Sequence, residues 1–299
     1  MRILLFALRQ RLRDWPTSLA FVSVLGSALA LAGAWLAVAL PLRHLPFPQP
    51  DHLVAIETMK KGQAGGLSWA DLEDLRTGST QHIAGFSSRT WGLQTEAHGH
   101  IEVVLSQQVT GEFFAALGVT PYLGEPLTVR HQQSGNQQWV WFTHASWRRL
   151  LGGARDVAGK VVWINSAPYR VGGVLPPSFD FPHRGQSADV YVPLNRTEYF
   201  GARGPGGLGA IVRLRPGVSL SQFDAELQAR STGLAAQFPG SNAGVAFVAG
   251  DLASALLGER LRLLQWLLAA VVTLLLVAMA NASGIWLAQW LRQQRQAAI

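Results

Sequence analysis

The chain has 299 residues, of which only 14% are charged and 48% hydrophobic. A soluble chain of average composition carries about 25% charge, so this balance excludes an ordinary soluble globule and, equally, a long disordered tail, which needs low hydrophobicity and high net charge. Cysteine is absent, which excludes a disulfide framework, a thiolate metal site and a cysteine nucleophile.

The first 16 residues hold Arg2, Arg9, Arg11 and Arg13 against Asp14 alone. Thr17–Leu40 follows with no charge over 24 residues. That is about 36 Å as a helix, enough for the roughly 30 Å apolar core of a bilayer. Trp15 and Trp35 lie near its ends, where interfacial aromatics collect. Leading arginines and Ala37-Val38-Ala39 also resemble a cleavable signal peptide, but the run exceeds the usual apolar region of about 7–15 residues. An uncleaved anchor is expected. Gly26, Ala30 and Ala34 fall four apart in it, a small-residue stripe that permits close helix–helix approach in lipid.

Pro46, Pro48 and Pro50 then forbid helix continuation. Leu53–Thr58 reads as a strand, and Ser68-Trp-Ala-Asp71 has capping-box spacing that opens a short helix through about Arg76. Ile101, Val103 and Leu105 alternate with Glu102 and Ser106, the pattern of a half-buried strand. Thr110 opens a helix with Phe113, Phe114 and Leu117 on one side, ended by Gly118. A strand over Gln138–Phe142 precedes a helix over His144–Leu151, stopped by Gly152-Gly153. Lys160–Asn165 and Tyr169–Leu175 flank Ser166-Ala167-Pro168 and read as a hairpin, and Asp189–Pro193 reads as a strand. Gly209–Arg215, a turn at Pro216-Gly217, a helix capped by Ser219 with Phe223, Leu227 and Leu234 inside, and a strand over Gly244–Gly250 make a β-α-β unit. The strand at Leu53 and the helix at Ser68 are expected to partner it, so that an α+β domain is split by an inserted subdomain.

Leu263–Leu291 is a second uncharged run, of 29 residues, with Trp266, Trp286 and Trp290 near its ends. Ala280, Gly284 and Ala288 form its small-residue stripe, and its amides Asn281 and Gln289 are expected to face protein rather than lipid. Arg292 and Arg295 follow. Because the outer flank of each run is the basic one, both termini are expected in the cytoplasm, with the middle translocated. Between Arg43 and Arg262 lie 19 basic and 17 acidic residues, so the net charge of +7 gathers mainly at the ends, and a nucleic-acid patch on the folded middle is disfavoured.

No G-x-x-x-x-G-K-[ST] phosphate loop and no G-x-S-x-G nucleophile elbow occurs. The glycine-rich stretches Gly62–Gly66 and Gly201–Gly209 read as plain mobile loops. His98-Gly-His100, with Glu96 and Glu102 near, is the only close histidine pair, and no third ligand is set by spacing. Asp71, Glu73 and Asp74, and likewise Asp224 and Glu226, read as solvated helix faces. No catalytic residue, cofactor or metal is expected.

Several stretches carry a family likeness: Arg43-His-Leu-Pro-Phe-Pro-Gln-Pro-Asp-His-Leu-Val54, Val109-Thr-Gly-Glu-Phe-Phe-Ala-Ala-Leu-Gly-Val119, Thr143-His-Ala-Ser-Trp-Arg-Arg-Leu-Leu-Gly-Gly153, and Val157-Ala-Gly-Lys-Val-Val-Trp-Ile-Asn-Ser-Ala-Pro-Tyr-Arg-Val-Gly-Gly-Val-Leu-Pro-Pro177. Ala188-Asp-Val-Tyr-Val-Pro-Leu194 and Val212-Arg-Leu-Arg-Pro-Gly-Val-Ser-Leu220 complete them. With these the chain resembles the amino-terminal portion of an ABC-transporter permease with a MacB-like periplasmic core domain, of the FtsX-like permease superfamily. The resemblance implies a porter-like split β-α-β part with an inserted mixed α/β subdomain at about 109–194, together a periplasmic α+β domain over 41–262. Transmembrane helices would lie at 17–40 and 263–291, and cytoplasmic ends at 1–16 and 292–299. It further implies an inner-membrane permease subunit or fragment without its own ATPase, whose partners are the lipid bilayer, the remaining permease half or a second permease subunit, and a separate cytoplasmic ATPase. Such permeases continue past the second span into a basic segment that engages the ATPase, whereas this sequence ends at Ile299; a truncated gene, one piece of a split permease or an excised piece is expected. The alternative is a two-span, membrane-anchored periplasmic sensor or binding module, which would need a cytoplasmic output domain.

Overall fold

The computed structural model describes residues 26, 45–76, 78–96, 99–133, 138–181, 188–194, 203–204 and 206–297. Contacts divide the chain into Leu45–Leu256 and a second unit of Met1–His44 with Leu257–Ile299. In chain order the first unit holds β1 (Leu53–Lys60), β2 (Gln63–Gly65), α1 (Trp69–Asp74), β3 (Thr80–Gln94), β4 (Glu102–Val109), α2 (Phe113–Leu117), β5 (Leu123–Gly124), α3 (Val129–Gln133) and β6 (Gln138–Phe142). There follow α4 (His144–Leu151), β7 (Val161–Ile164), β8 (Ala167–Val174), β9 (Val190–Pro193), β10 (Gly209–Leu214), α5 (Leu220–Gln237), α6 (Pro239–Asn242), β11 (Val245–Asp251) and the start of α7 (Leu252–Ala297). This is a mixed α+β domain.

Its strands form one sheet in the order β11-β1-β10-β3-β4-β9-β6-β8-β5. At one end β1 runs antiparallel to both β10 and β11, so those two are parallel to each other and α5 joins them across β1. This is a split β-α-β arrangement. Helices α1 and α5 cover one face of it over Ile56, Leu67, Leu72, Leu208, Val212, Phe223, Leu227 and Phe247. A full capping box starts α5: the Ser219 hydroxyl accepts from Gln222 N–H while the Gln222 side chain takes the Ser219 N–H.

The other end closes on itself. β3 pairs with β4, β4 with β9, β9 with β6, β6 with β8, β8 with β7, and β7 returns to β3. The ring has no free edge, which removes a route to edge-to-edge association. Its interior is aliphatic, with Val104, Val140, Val162, Val171, Val190 and Val192 around Phe142 and Leu93. Strand β3 belongs to both ends: Thr80–Phe86 pairs with β10 and Phe86–Leu93 with β4. Two ring strands therefore lie upstream of Val109, so the ring and the 109–194 stretch are not coextensive.

Two local expectations are corrected, and one strand lies where the sequence pattern marks none. Strand β3, the longest, is not marked by the sequence, because Gly85, Ser87, Ser88, Thr90 and Gly92 break its apolar alternation. In β4 the buried side is the reverse of that expected: Val104 and Ser106 are inside, while Ile101 and Val103 are 59% and 72% exposed. Pairing with β9 and the valine-lined ring decides the face there. The β7–β8 turn is Asn165-Ser166, both at positive φ (48° and 66°), the two-residue geometry that matches strand twist; Ala167 and Pro168 already lie in β8.

Helix α7 runs without a break from Leu252 to Ala297. Leu263, Trp266, Leu267, Leu274 and Leu276 on it are exposed. Among the described residues no helix is long and apolar enough to cross a membrane; beyond Leu256 the side chains of α7 are described continuously only from Trp266 to Asn281. Of the first uncharged run only Gly26 is described, helical and exposed; Ala30, Ala34 and the rest of Thr17–Leu40 lie outside the described residues.

Candidate functional site

The two segments that border the domain meet in one aromatic core. With prolines at 46, 48 and 50, Leu45–Gln49 stays non-helical ahead of a single 3-10 turn at Pro50–His52, and its side chains alternate: Leu45 and Phe47 are buried while Pro46 and Pro48 are exposed. From the other border Leu252 and Ala253 are buried, with Leu256 packed alongside. Both sets join Phe113 and Phe114 of α2, Phe179, Phe181, and Tyr191 of β9. The Phe47 ring lies 6.2 Å from Phe179, Phe179 lies 5.7 Å from Phe114, and Phe114 lies 5.4 Å edge-on to Tyr191. Such tilted and edge-to-face rings interlock, so a shift of one needs a shift of the next.

Arg213, on β10, lies at this junction and is buried. Its Nε donates to Ala116 O at 2.6 Å, and Nη1 and Nη2 both donate to Pro48 O at 3.1 Å. Burial pushes its guanidinium below the usual arginine value. Nothing in the spacing of the sequence singles it out. Its signal is a lone charge inside an otherwise apolar strand, Ile211-Val-Arg-Leu214.

The carboxylates read as solvated faces are placed differently. Asp71 is fully buried. It accepts hydrogen bonds from the Ser68 hydroxyl (2.7 Å), Gly204 N–H (2.9 Å) and Asn242 Nδ2 (2.9 Å). The aspartate side chain is a methylene shorter than the usual glutamate of a capping box, so it takes the Ser68 hydroxyl rather than the Ser68 N–H. Asp74 is paired with Arg203, whose guanidinium stacks 3.9 Å over the Phe238 ring. On α5, Asp224 accepts the Ala249 N–H (3.2 Å) and Ser231 accepts the Phe247 N–H (2.9 Å), so this helix caps donors on the outer edge of β11. Glu226 accepts from the Ser79 hydroxyl.

The glycine-rich stretches are also corrected. Gly66 bridges Gly206, and Leu67 bridges Leu208. A Cβ at Gly66 would stand 2.7 Å from Leu208 O, and one at Gly206 would stand 2.3 Å from Leu67 O. Glycine there permits backbone contact, not mobility.

His98 lies outside the described residues. Among the described residues no group of three or more histidine, cysteine or acidic side chains could hold a metal. Glu102 instead pairs with Arg149, which also bonds Asp189 at 2.7 Å. Ala280 and Gly284 are exposed on α7, and a Cβ at Gly26 or Gly284 would meet no heavy atom within 4 Å. Ala288 is in the same helix, its side chain outside the described residues.

The fold has known relatives. A domain of a protein assigned as a permease, from Porphyromonas gingivalis, superposes with a TM-score of 0.54 at 17% identity, over 70% of this chain and 93% of that one. The periplasmic region of MacB from Actinobacillus actinomycetemcomitans gives 0.50 at 15% identity, over 69% and 90%. No curated protein matches by sequence. The family model of the MacB-like periplasmic core domain matches residues 18–230. With the split β-α-β sheet, the strand ring and both borders gathered in one aromatic core, the chain belongs to the MacB-like periplasmic core domain family of ABC-type transporter permeases.

Proposed function

We propose that the chain is an inner-membrane permease-type subunit whose periplasmic domain carries motion and contacts partners, with no chemistry of its own. The observation that carries this reading is the shared aromatic core: Leu45 and Phe47 from one border and Leu252 and Ala253 from the other pack on the same phenylalanines. A relative movement of the two borders would then deform a single close-packed cluster, which transmits strain rather than absorbing it. In this reading Thr17–Leu40 and Leu263–Leu291 are the two spans, about 41–262 is the translocated domain with its insertion near 109–194, and 1–16 and 292–299 are cytoplasmic. Support comes from the uncharged runs, the basic flanks and the apolar exposure along α7. The stripes Gly26, Ala30, Ala34 and Ala280, Gly284, Ala288 would receive helices of the other permease half, and a separate ATPase would supply the energy, since the sequence has no phosphate loop.

Topology is the test. The chain has no cysteine, so single cysteines report alone. A cysteine replacing the exposed Asp156 is expected to react with an impermeant thiol reagent once the outer membrane is permeabilised. A cysteine replacing Gln294 is expected to react only after the inner membrane is opened. The reverse pattern sinks the permease reading. Co-purification with a candidate permease half, weakened by Gly284→Leu, tests the helix stripe.

A further inference from the structure

A buried guanidinium is costly unless its charge is met, yet among the described residues Arg213 meets no carboxylate: its three hydrogen bonds all end on main-chain carbonyls. The two carbonyls belong to separate parts of the domain. Pro48 lies in the entry segment, three residues beyond the unit boundary at Leu45. Ala116 lies at the carboxyl end of α2, where helix carbonyls lack intrahelical partners and a cation is favoured. Gly118, at φ 70°, ends α2 and brings it against Pro48; a Cβ there would stand 3.2 Å from the Pro48 ring. The planar fork of arginine thus adds directional backbone bonds across a seam that Leu45 and Phe47 hold by apolar packing. Beyond it, Phe113 and Phe114 of α2 carry the contact to Phe179 and Tyr191.

We propose that Arg213 is a latch that pins the entry segment at Pro48 to the end of α2, so that a displacement arriving from before Leu45 reaches α2 and the strand ring instead of being taken up in the proline linker. The inference rests on the reading of the domain as a transmitter, but its geometry is testable without nucleotide, substrate or partner, so either idea can fail alone.

The experiment uses the full chain in detergent with pairs of spin labels on introduced cysteines. Pro46→Cys with Ala115→Cys reports across the seam; Gln228→Cys with Ala115→Cys reports within the domain. All three sites are exposed. In Arg213→Met the distance distribution of the 46–115 pair is expected to widen at least twofold, with the 228–115 pair unchanged. In Arg213→Lys, where one ammonium replaces the fork, a smaller widening of the 46–115 pair alone is expected. An unchanged 46–115 pair in both variants overturns the latch. Equal widening of both pairs in both variants also overturns it, because Arg213 would then be general support for the fold.

Discussion

Replacing Asp71 by alanine should be among the most damaging single changes in the domain. The carboxylate is fully buried and joins Ser68, Gly204 and Asn242, the last of them 171 residues away in sequence. Without it three donors lose their acceptor, and each buried donor left unpaired costs about 1–3 kcal/mol. Water entering the space left by the carboxylate offsets part of that. A net loss of about 3–5 kcal/mol follows, the range for removing one partner from a buried charged network. A unit of this size shifts its Tm by about 2–4 °C per kcal/mol, so a fall of roughly 6–20 °C is expected. Asp71→Asn keeps one acceptor but turns an NH2 group toward other donors, and should lose about half as much. Asp74→Ala is the control: it removes a partly exposed ion pair with Arg203, worth about 0–1 kcal/mol. Thermal unfolding of the full chain, followed by tryptophan emission, reads all three. An Asp71→Ala variant within 2 °C of the parent, or an Asp74→Ala variant equally damaged, would refute the assignment of Asp71 as the hub.

Ser231→Ala strips the acceptor from the buried Phe247 N–H and should cost about 1–3 kcal/mol, whereas the neighbouring exposed Thr232→Ala should change stability by less than about 0.5 kcal/mol; urea unfolding separates them. Gly66→Ala and Gly206→Ala drive a methyl into facing backbone and should destabilise clearly, while Gly207→Ala, with open space around it, should not; matched melting curves decide. Among the described residues the buried Tyr191 hydroxyl has no hydrogen-bond partner, and burial, then the charge of Asp180, pushes its ionisation well above the ordinary tyrosine value. The folded state resists losing that proton while the unfolded chain loses it near pH 10, so the contribution is present below about pH 10 and falls as pH rises further. Tyr191→Phe should be neutral or stabilising at pH 7 and should flatten the alkaline fall; an unchanged alkaline profile refutes this.

Much of the molecule is legible in the residue order because its signals are local. Ser219 and Gln222 cap α5, Thr143 caps α4, Gly118 and Gly152 stop their helices at positive φ, and the β-α-β unit at Gly209–Gly250 follows from alternation and helical period. The family likeness was equally readable, since its motifs are short contiguous stretches that include the helix stops at Gly118 and Gly152 and the Asn165-Ser166 turn. Tertiary structure alone decided the rest, wherever a residue's role depends on a partner far along the chain. The face that β4 buries was set by β9, not by its own pattern, so Ile101 and Val103 point outward. Strand β3 exists because β10 and β4 flank it, despite its small and polar residues. Asp71 looks like any solvated helix acid until Gly204 and Asn242 arrive around it, and Arg213 looks like a misplaced charge until Pro48 and Ala116 present their carbonyls. Periodicity reports which side of an element is apolar, but only long-range packing determines which polar groups are buried and what meets them.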